Sequence, residues 1–241
     1  MIQDKWIVEK HDGYKISYTV TDKENSKEYL KLIRNGVGSV KTFFSSMFNS
    51  EFRVFIHPDR HSLDSTWRKD WNMPAFKSEC WMVASGVATR LDMISPKLWI
   101  KEACEHDYKD QIKTQALITH ELVHVYHGQA NASPDFSDVT GIDWFVEGLA
   151  TFASGQLDSG RIAEIKKAIT DNRIPTGLDK FWTGKLRYGL SGSVVMYIDK
   201  QYGRAKLKEL LKFNKNSDIL TSLNTTEEEL LKNWKNYLSG L

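Results

Sequence analysis

The sequence predicts an α+β fold, on three observations. Strand-like alternation falls in roughly the first 90 residues, helical periodicity dominates the rest, and no internal repeat or low-complexity segment interrupts the order. With 241 residues and 41% hydrophobic content, the chain can bury a core in one domain, or in a domain with a lobe.

The elements follow in order. Trp6 to Val8 and Tyr14 to Val20 alternate around His11-Asp12-Gly13, which predicts a hairpin with Asp-Gly at its turn. Residues 25–48 read as one long helix whose apolar face carries Tyr29, Leu30, Ile33, Val37, Val40 and Phe44, with Gly36 and Gly38 weakening its middle. Phe52 to Ile56 is a short strand. Residues 57–80, with Pro58 and Pro74, read as irregular. Trp81 to Thr89 is the next strand, and Gly86 within it permits close approach of another backbone. It suits either a core strand or an edge strand that pairs with an extended peptide.

Residues Gln111 to His127 hold no Pro or Gly and place Ile112, Ala116, Leu117, Leu122, Val123 and Tyr126 at helical spacing, with Gly128 as a stop. Asp143 to Thr151 reads as a second helix capped by Asp143. Helices are predicted near 159–171, 190–202, 204–213 and 226–239, the last opened by a capping-box pattern in Thr225-Thr226-Glu227-Glu228.

Composition excludes several classes. With 33 basic against 31 acidic residues, a net charge of +2 makes no electrostatic case for nucleic acid or a membrane surface. No stretch has the apolar length of a membrane span. Met1-Ile2-Gln3-Asp4-Lys5-Trp6 lacks an apolar signal core, so the expectation is a cytoplasmic protein, or a secreted one whose signal was removed. Cys80 and Cys104 can pair, but two cysteines decide nothing.

The chemistry concentrates in His120-Glu121-Leu122-Val123-His124. On a helix, positions four apart lie about 40° apart around the axis, so both imidazoles reach one metal ion. Glu121 stands about 100° round from His120, beside the metal, where a general base takes a proton from an activated water. A catalytic zinc usually takes three protein ligands and leaves one position open. Glu147, in Asp143-Trp144-Phe145-Val146-Glu147-Gly148-Leu149-Ala150-Thr151, is the candidate third ligand, because a carboxylate among apolar residues needs a partner. His127 falls near the same helix face and is either a packed histidine or a fourth ligand that would close the site. His57 and His61 are expected in a loop or at a strand end, and His11 and His106 at the surface. A metzincin would have a glycine and a third histidine where this chain has His127 and Ala130, which excludes that pattern.

The pentapeptide together with Trp-Phe-Val-Glu-Gly-Leu-Ala at 144–150 resembles the gluzincin zinc metallopeptidases, and within them the peptidase MA-like proteins. Tyr188, Ser193 to Tyr197, Gln201-Tyr202-Gly203 and Trp234-x-x-Tyr237-Leu238 extend the likeness over roughly residues 80–240. The resemblance implies a zincin-like fold across residues 1–241: an α/β part over 1–128 carrying the zinc helix, and a helical part over 129–241 carrying the third ligand. It implies one catalytic Zn2+ on His120, His124 and Glu147, Glu121 as general base and Tyr188 as oxyanion donor, with Tyr197 a distant second. The acidic residue that in thermolysin-like relatives follows the ligand glutamate by four is Thr151 here, which leaves Asp143 or Thr151 to orient the zinc histidines. Arg187 beside Tyr188 is an optional partner for a substrate carboxylate, and the sequence alone does not single it out. The expected function is a zinc metallopeptidase, metalloendopeptidase-like, acting on a peptide or protein. Alternatives are a non-catalytic zinc-binding interaction domain, or a zinc hydrolase of a non-peptide amide or ester.

Overall fold

The computed structural model describes residues 5–241. Met1 to Asp4, part of the segment read for a signal, lie outside the described residues. The described residues form a mixed α+β structure with a five-stranded sheet and ten α-helices.

The N-terminal alternation becomes β1 (Ile7–His11) and β2 (Tyr14–Tyr18), antiparallel around Asp12-Gly13. Helix α1 (Ser26–Phe44) runs unbroken through Gly36 and Gly38 and leads to β3 (Phe52–His57), which pairs parallel to β2. The segment after β3 differs from the sequence expectation. Arg60–Asp70 is a helix, α2, and Asp59 caps it by accepting a hydrogen bond from Ser62 N. Pro58 precedes the cap, where a missing N–H costs the helix nothing. His57 ends β3 as a buried residue, its Nε2 2.9 Å from Asp92 Oδ1 and its Nδ1 3.0 Å from Ser62 Oγ.

The chain then forms β4 (Ala84–Val87) and β5 (Arg90–Ile94). Sheet order is β1-β2-β3-β5-β4, with β5 parallel to β3 and β4 antiparallel to β5. The candidate strand at 81–89 is thus an edge strand, shortened to four residues. After α3 (Trp99–Glu102) come α4 (Gln111–Gly128), α5 (Asp143–Ala153), α6 (Ser159–Thr170), α7 (Arg187–Tyr202), α8 (Arg204–Leu210), α9 (Asn216–Ser222) and α10 (Glu227–Ser239). The capping box of α10 is Thr226 with Glu229, one residue later than the sequence suggested. Ile142, with no side-chain cap bond, stands where Asp143 was expected to cap α5.

One apolar cluster joins the sheet to α1, α4, α5, α7 and α10. Trp144, Trp234, Phe44 and Phe145, among its larger members, are fully buried. Each removes 150–250 Å² from water, about 4–6 kcal/mol apiece at 25 cal/mol per Å². An exposed ion pair such as Lys180–Asp179 contributes about 0–1 kcal/mol. Burial, not surface charge, holds the helices on the sheet. A smaller cluster of Leu63, Trp67, Val83, Ile94, Trp99 and Leu117 lies under α2 and the approach to β4. Arg60 ties that approach down, donating to Ser78 Oγ (2.8 Å), Met82 O (2.9 Å) and Glu79 O (3.0 Å). Cys80 and Cys104 form a disulfide across the same region. Among the described residues, no helix is long and apolar enough to cross a membrane.

Helix α4 lies directly against β4. A Cβ on Gly86 would stand 2.2 Å from Glu121 O and 3.1 Å from His124 Cβ. Backbone faces it, so no rotamer change relieves the clash. Gly86→Ala should therefore cost about 3 kcal/mol in urea unfolding. Gly38→Ala, where nothing lies within 4 Å, should instead be neutral or stabilise by up to about 1 kcal/mol. Equal effects at the two positions would contradict this packing.

Candidate metal centre

His120 and His124 project from one face of α4, as their spacing requires. Glu147 reaches them from α5. Gly148, its neighbour, lets α5 settle on α7: a Cβ there would meet Ser191 O at 2.4 Å. The three side chains converge. His124 Nε2 lies 3.0 Å from His120 Nε2, and Glu147 Oε2 lies 3.3 Å and 3.6 Å from the two nitrogens. Donor atoms at about 2.0–2.1 Å from a tetrahedral ion stand about 3.3 Å from one another. The cluster fits that spacing and can hold a metal ion.

The chemistry of the donors agrees. His120 Nδ1–H donates to Gln156 Oε1 at 2.9 Å, which turns Nε2 towards the cluster. Gln156, just past the turn that closes α5, makes the contact to His120 that was expected of Asp143 or Thr151. Asp143 is exposed on the first turn of α5, and Thr151 Oγ1 is buried without a hydrogen-bond partner among the described residues. His124 Nδ1 is likewise buried and unpartnered among them. Gln156 carried no sequence signal. It lies 36 residues from His120, and only the turn closing α5 brings it back.

His127 is not in the cluster. Its ring packs edge-on against Phe136 (5.0 Å) and Phe145 (5.7 Å), fully buried. Of the two sequence readings, packed histidine or fourth ligand, the structure has the packed one.

Electrostatics separate the two carboxylates. Burial pushes Glu121 up to about 7, helped by the nearby charge of Glu147 and opposed by His120 and the Gly86 N–H. Burial also raises Glu147, but the charge of His124 and hydrogen bonds from both histidines outweigh it and hold Glu147 well below the usual carboxylate range. Burial thus favours the protonated form of Glu121 up to near neutrality, while the histidines keep Glu147 anionic.

Tyr188 lies in the first turn of α7, which begins earlier than expected. Its ring centre is 6.4 Å from that of His120. Burial and the charge of Glu147 raise its phenol further, so it keeps its proton at neutral pH. Tyr197, the second candidate, is buried against Tyr237 at 5.5 Å and takes no part.

Two cavities meet at the cluster. One, of about 260 Å³, runs from His120, Glu121 and Tyr188 out to Trp71, Trp81 and Trp182. The other, of about 250 Å³, continues past Gly86 and Val87 to Asp135 and Asp143. Both are bounded by Ser85, His124 and Glu147, so the cleft passes along edge strand β4 on both sides of the cluster. His106, expected at the surface, borders the first cavity and bonds Trp81 O at 3.0 Å.

His127 gives the fold a pH signature. Burial, with the charge of His124, lowers its pKa to about 3, against about 6.5 when unfolded. Above pH 6.5 both states are neutral and stability does not depend on this group. Below it the unfolded chain takes up a proton that the native one refuses, so stability falls by about 1.4 kcal/mol per pH unit towards pH 3. Between pH 7 and pH 5 the wild type should lose about 2 kcal/mol more than His127→Gln, measured by urea unfolding at each pH. Parallel curves would contradict the buried neutral ring.

No protein-family model matches this chain, and no curated protein matches it, so its own geometry carries the functional argument.

Proposed function

We propose that the chain is a zinc-dependent peptidase of the gluzincin kind, with a zincin-like fold. The observation that carries the reading is the convergence of His120 Nε2, His124 Nε2 and Glu147 Oε2 within 3.0–3.6 Å beside Glu121, at the floor of a cleft. Three protein donors and an adjoining cavity suit a catalytic ion better than a structural one, which takes four protein ligands. That observation weighs against the non-catalytic alternative. A non-peptide amide or ester would meet the same groups, but the edge strand favours a peptide, because β4 can extend the sheet by pairing with an extended chain.

A zinc ion held by His120, His124 and Glu147 would supply Lewis acidity and a water of lowered pKa. The chain's own groups do the rest. Glu121 takes the proton of the attacking water and returns it to the departing amine. Its raised pKa keeps that exchange close to balanced, and a dication nearby would draw it down. The Tyr188 hydroxyl donates to the oxygen that becomes an oxyanion as the carbonyl turns tetrahedral. Gln156 holds the His120 ring in the tautomer that presents Nε2. Backbone groups of β4 align the substrate.

The zinc-loaded protein should cleave a degenerate peptide pool and stop when a chelator is added. Glu121→Gln should bind zinc as the wild type does and lose at least about 10³-fold in kcat, the pairing of effects expected when a base but not a ligand is removed. Tyr188→Phe should lose about 10²-fold, as for one oxyanion donor. Wild-type cleavage by Glu121→Gln would refute the mechanism.

A further inference from the structure

Against three rings that line the cleft stands a held cation that the peptidase mechanism does not use. The guanidinium of Arg187, at the start of α7, stands over three aromatic rings: Trp81 at 5.2 Å, Trp182 at 5.3 Å and Tyr188 at 5.2 Å. Trp81 belongs to the wall fixed by the Cys80–Cys104 disulfide, and Trp182 and Tyr188 to the opposite wall. Such cation–π contacts, about 0.5–2 kcal/mol each, hold a guanidinium in place and, a bond to the Tyr188 hydroxyl apart, leave its five N–H donors for a ligand. Among the described residues no carboxylate pairs with Arg187, although the chain makes such pairs elsewhere, as Arg204 does with Asp199. Arg161 offers an internal contrast. It also stands over Tyr188, at 5.0 Å, but donates to Gln156 O at 2.6 Å and is committed.

The side chains that bring charge to this cavity, Glu105, Glu121 and Glu147, are acidic, and a bound dication would neutralise the inner two. An anionic substrate group would therefore find its fixed cation beside the cavity, at Arg187 behind the lining rings Trp81, Trp182 and Tyr188. Resting on the peptidase reading above, we infer that Arg187 is an anion anchor that selects peptides carrying a carboxylate close to the scissile bond. The guanidinium is ordered in advance, so little rotamer entropy remains to be lost when the carboxylate arrives. The Tyr188 ring lies 6.4 Å from His120 and 5.2 Å from Arg187. At about 3.4 Å per extended residue, that puts the carboxylate within about three residues of the reacting carbonyl. A free C-terminus and an Asp or Glu side chain offer the same chemistry.

The test separates binding from catalysis. Zinc-loaded Glu121→Gln is titrated, with tryptophan fluorescence as readout, using three N-acetylated pentapeptide pools. One pool ends in a free carboxylate, one in an amide, and one in an amide with glutamate at the penultimate position. At least one carboxylate pool should bind about tenfold or more tighter than the plain amide, the size expected for a hydrogen bond to a charged group. Preference for the first pool identifies the C-terminus as the source, and preference for the third identifies a side chain. Adding Arg187→Gln should abolish the preference, and Arg187→Lys should restore part of it, while zinc affinity stays unchanged in both. Equal binding of all three pools, no binding of any, or a preference that survives Arg187→Gln would overturn the anchor. A preference that behaves as expected, in a protein whose zinc-loaded wild type cleaves no peptide, would leave the anchor standing and refute the peptidase.

Discussion

Two imidazole nitrogens 3.0 Å apart cannot both turn a lone pair on the other without a proton or a metal ion between or beside them. Glu147, with its carboxylate 3.3 Å and 3.6 Å away, supplies negative charge to the same point. A buried arrangement of this kind is stable only when a proton or a metal ion completes it. Much of the surrounding structure serves this constraint. β4 crosses α4 at Gly86, α5 backs onto α7 at Gly148, and Gln156 returns to hold His120. The core aromatics fix α4 and α5 rigidly enough for three side chains to meet within a few tenths of an ångström of a tetrahedral edge.

The same frame explains how neighbouring polar groups acquire different behaviour. Glu121 and Glu147 are both carboxylates facing one cleft. One is displaced towards neutrality by burial and the other is held anionic by two histidines. His127 lies one turn beyond His124 on the same helix, yet it is enclosed by Phe136 and Phe145 and stays neutral. Position on α4 alone does not decide the role of a histidine; what faces it across the helix contact does.

Much of the centre was legible in the sequence because it is local or periodic. The helix of His120 and His124 follows from an uninterrupted apolar stripe, and Glu147 from a carboxylate stranded among apolar residues. What escaped is what only tertiary contact creates. Gln156 lies just past a turn with no motif, and its amide matters only because that turn folds back on His120. Helix α2 was read as irregular because Pro58 weighed against it, although the proline sits outside the cap formed by Asp59. Helix α7 starts at Arg187, before the span near 190–202 that the sequence predicts, and runs through Gly189 and Gly192 although glycine lowers helix propensity. In the fold those glycines are where α7 meets Ile165 of α6 and Thr151 of α5. Pairing of Cys80 with Cys104 needs the approach to β4 to lie beside the end of α3, which no spacing rule states.

Everything proposed for this cleft rests on a three-ligand metal centre with one open position. Zinc titration followed by X-ray absorption at the zinc edge tests it most directly. The expected result is one zinc per chain, bound by two imidazole nitrogens at about 2.0–2.1 Å and by oxygen, with the signal lost in His124→Ala. Sulfur or a third imidazole in the coordination shell, or no stoichiometric binding of zinc, would contradict it.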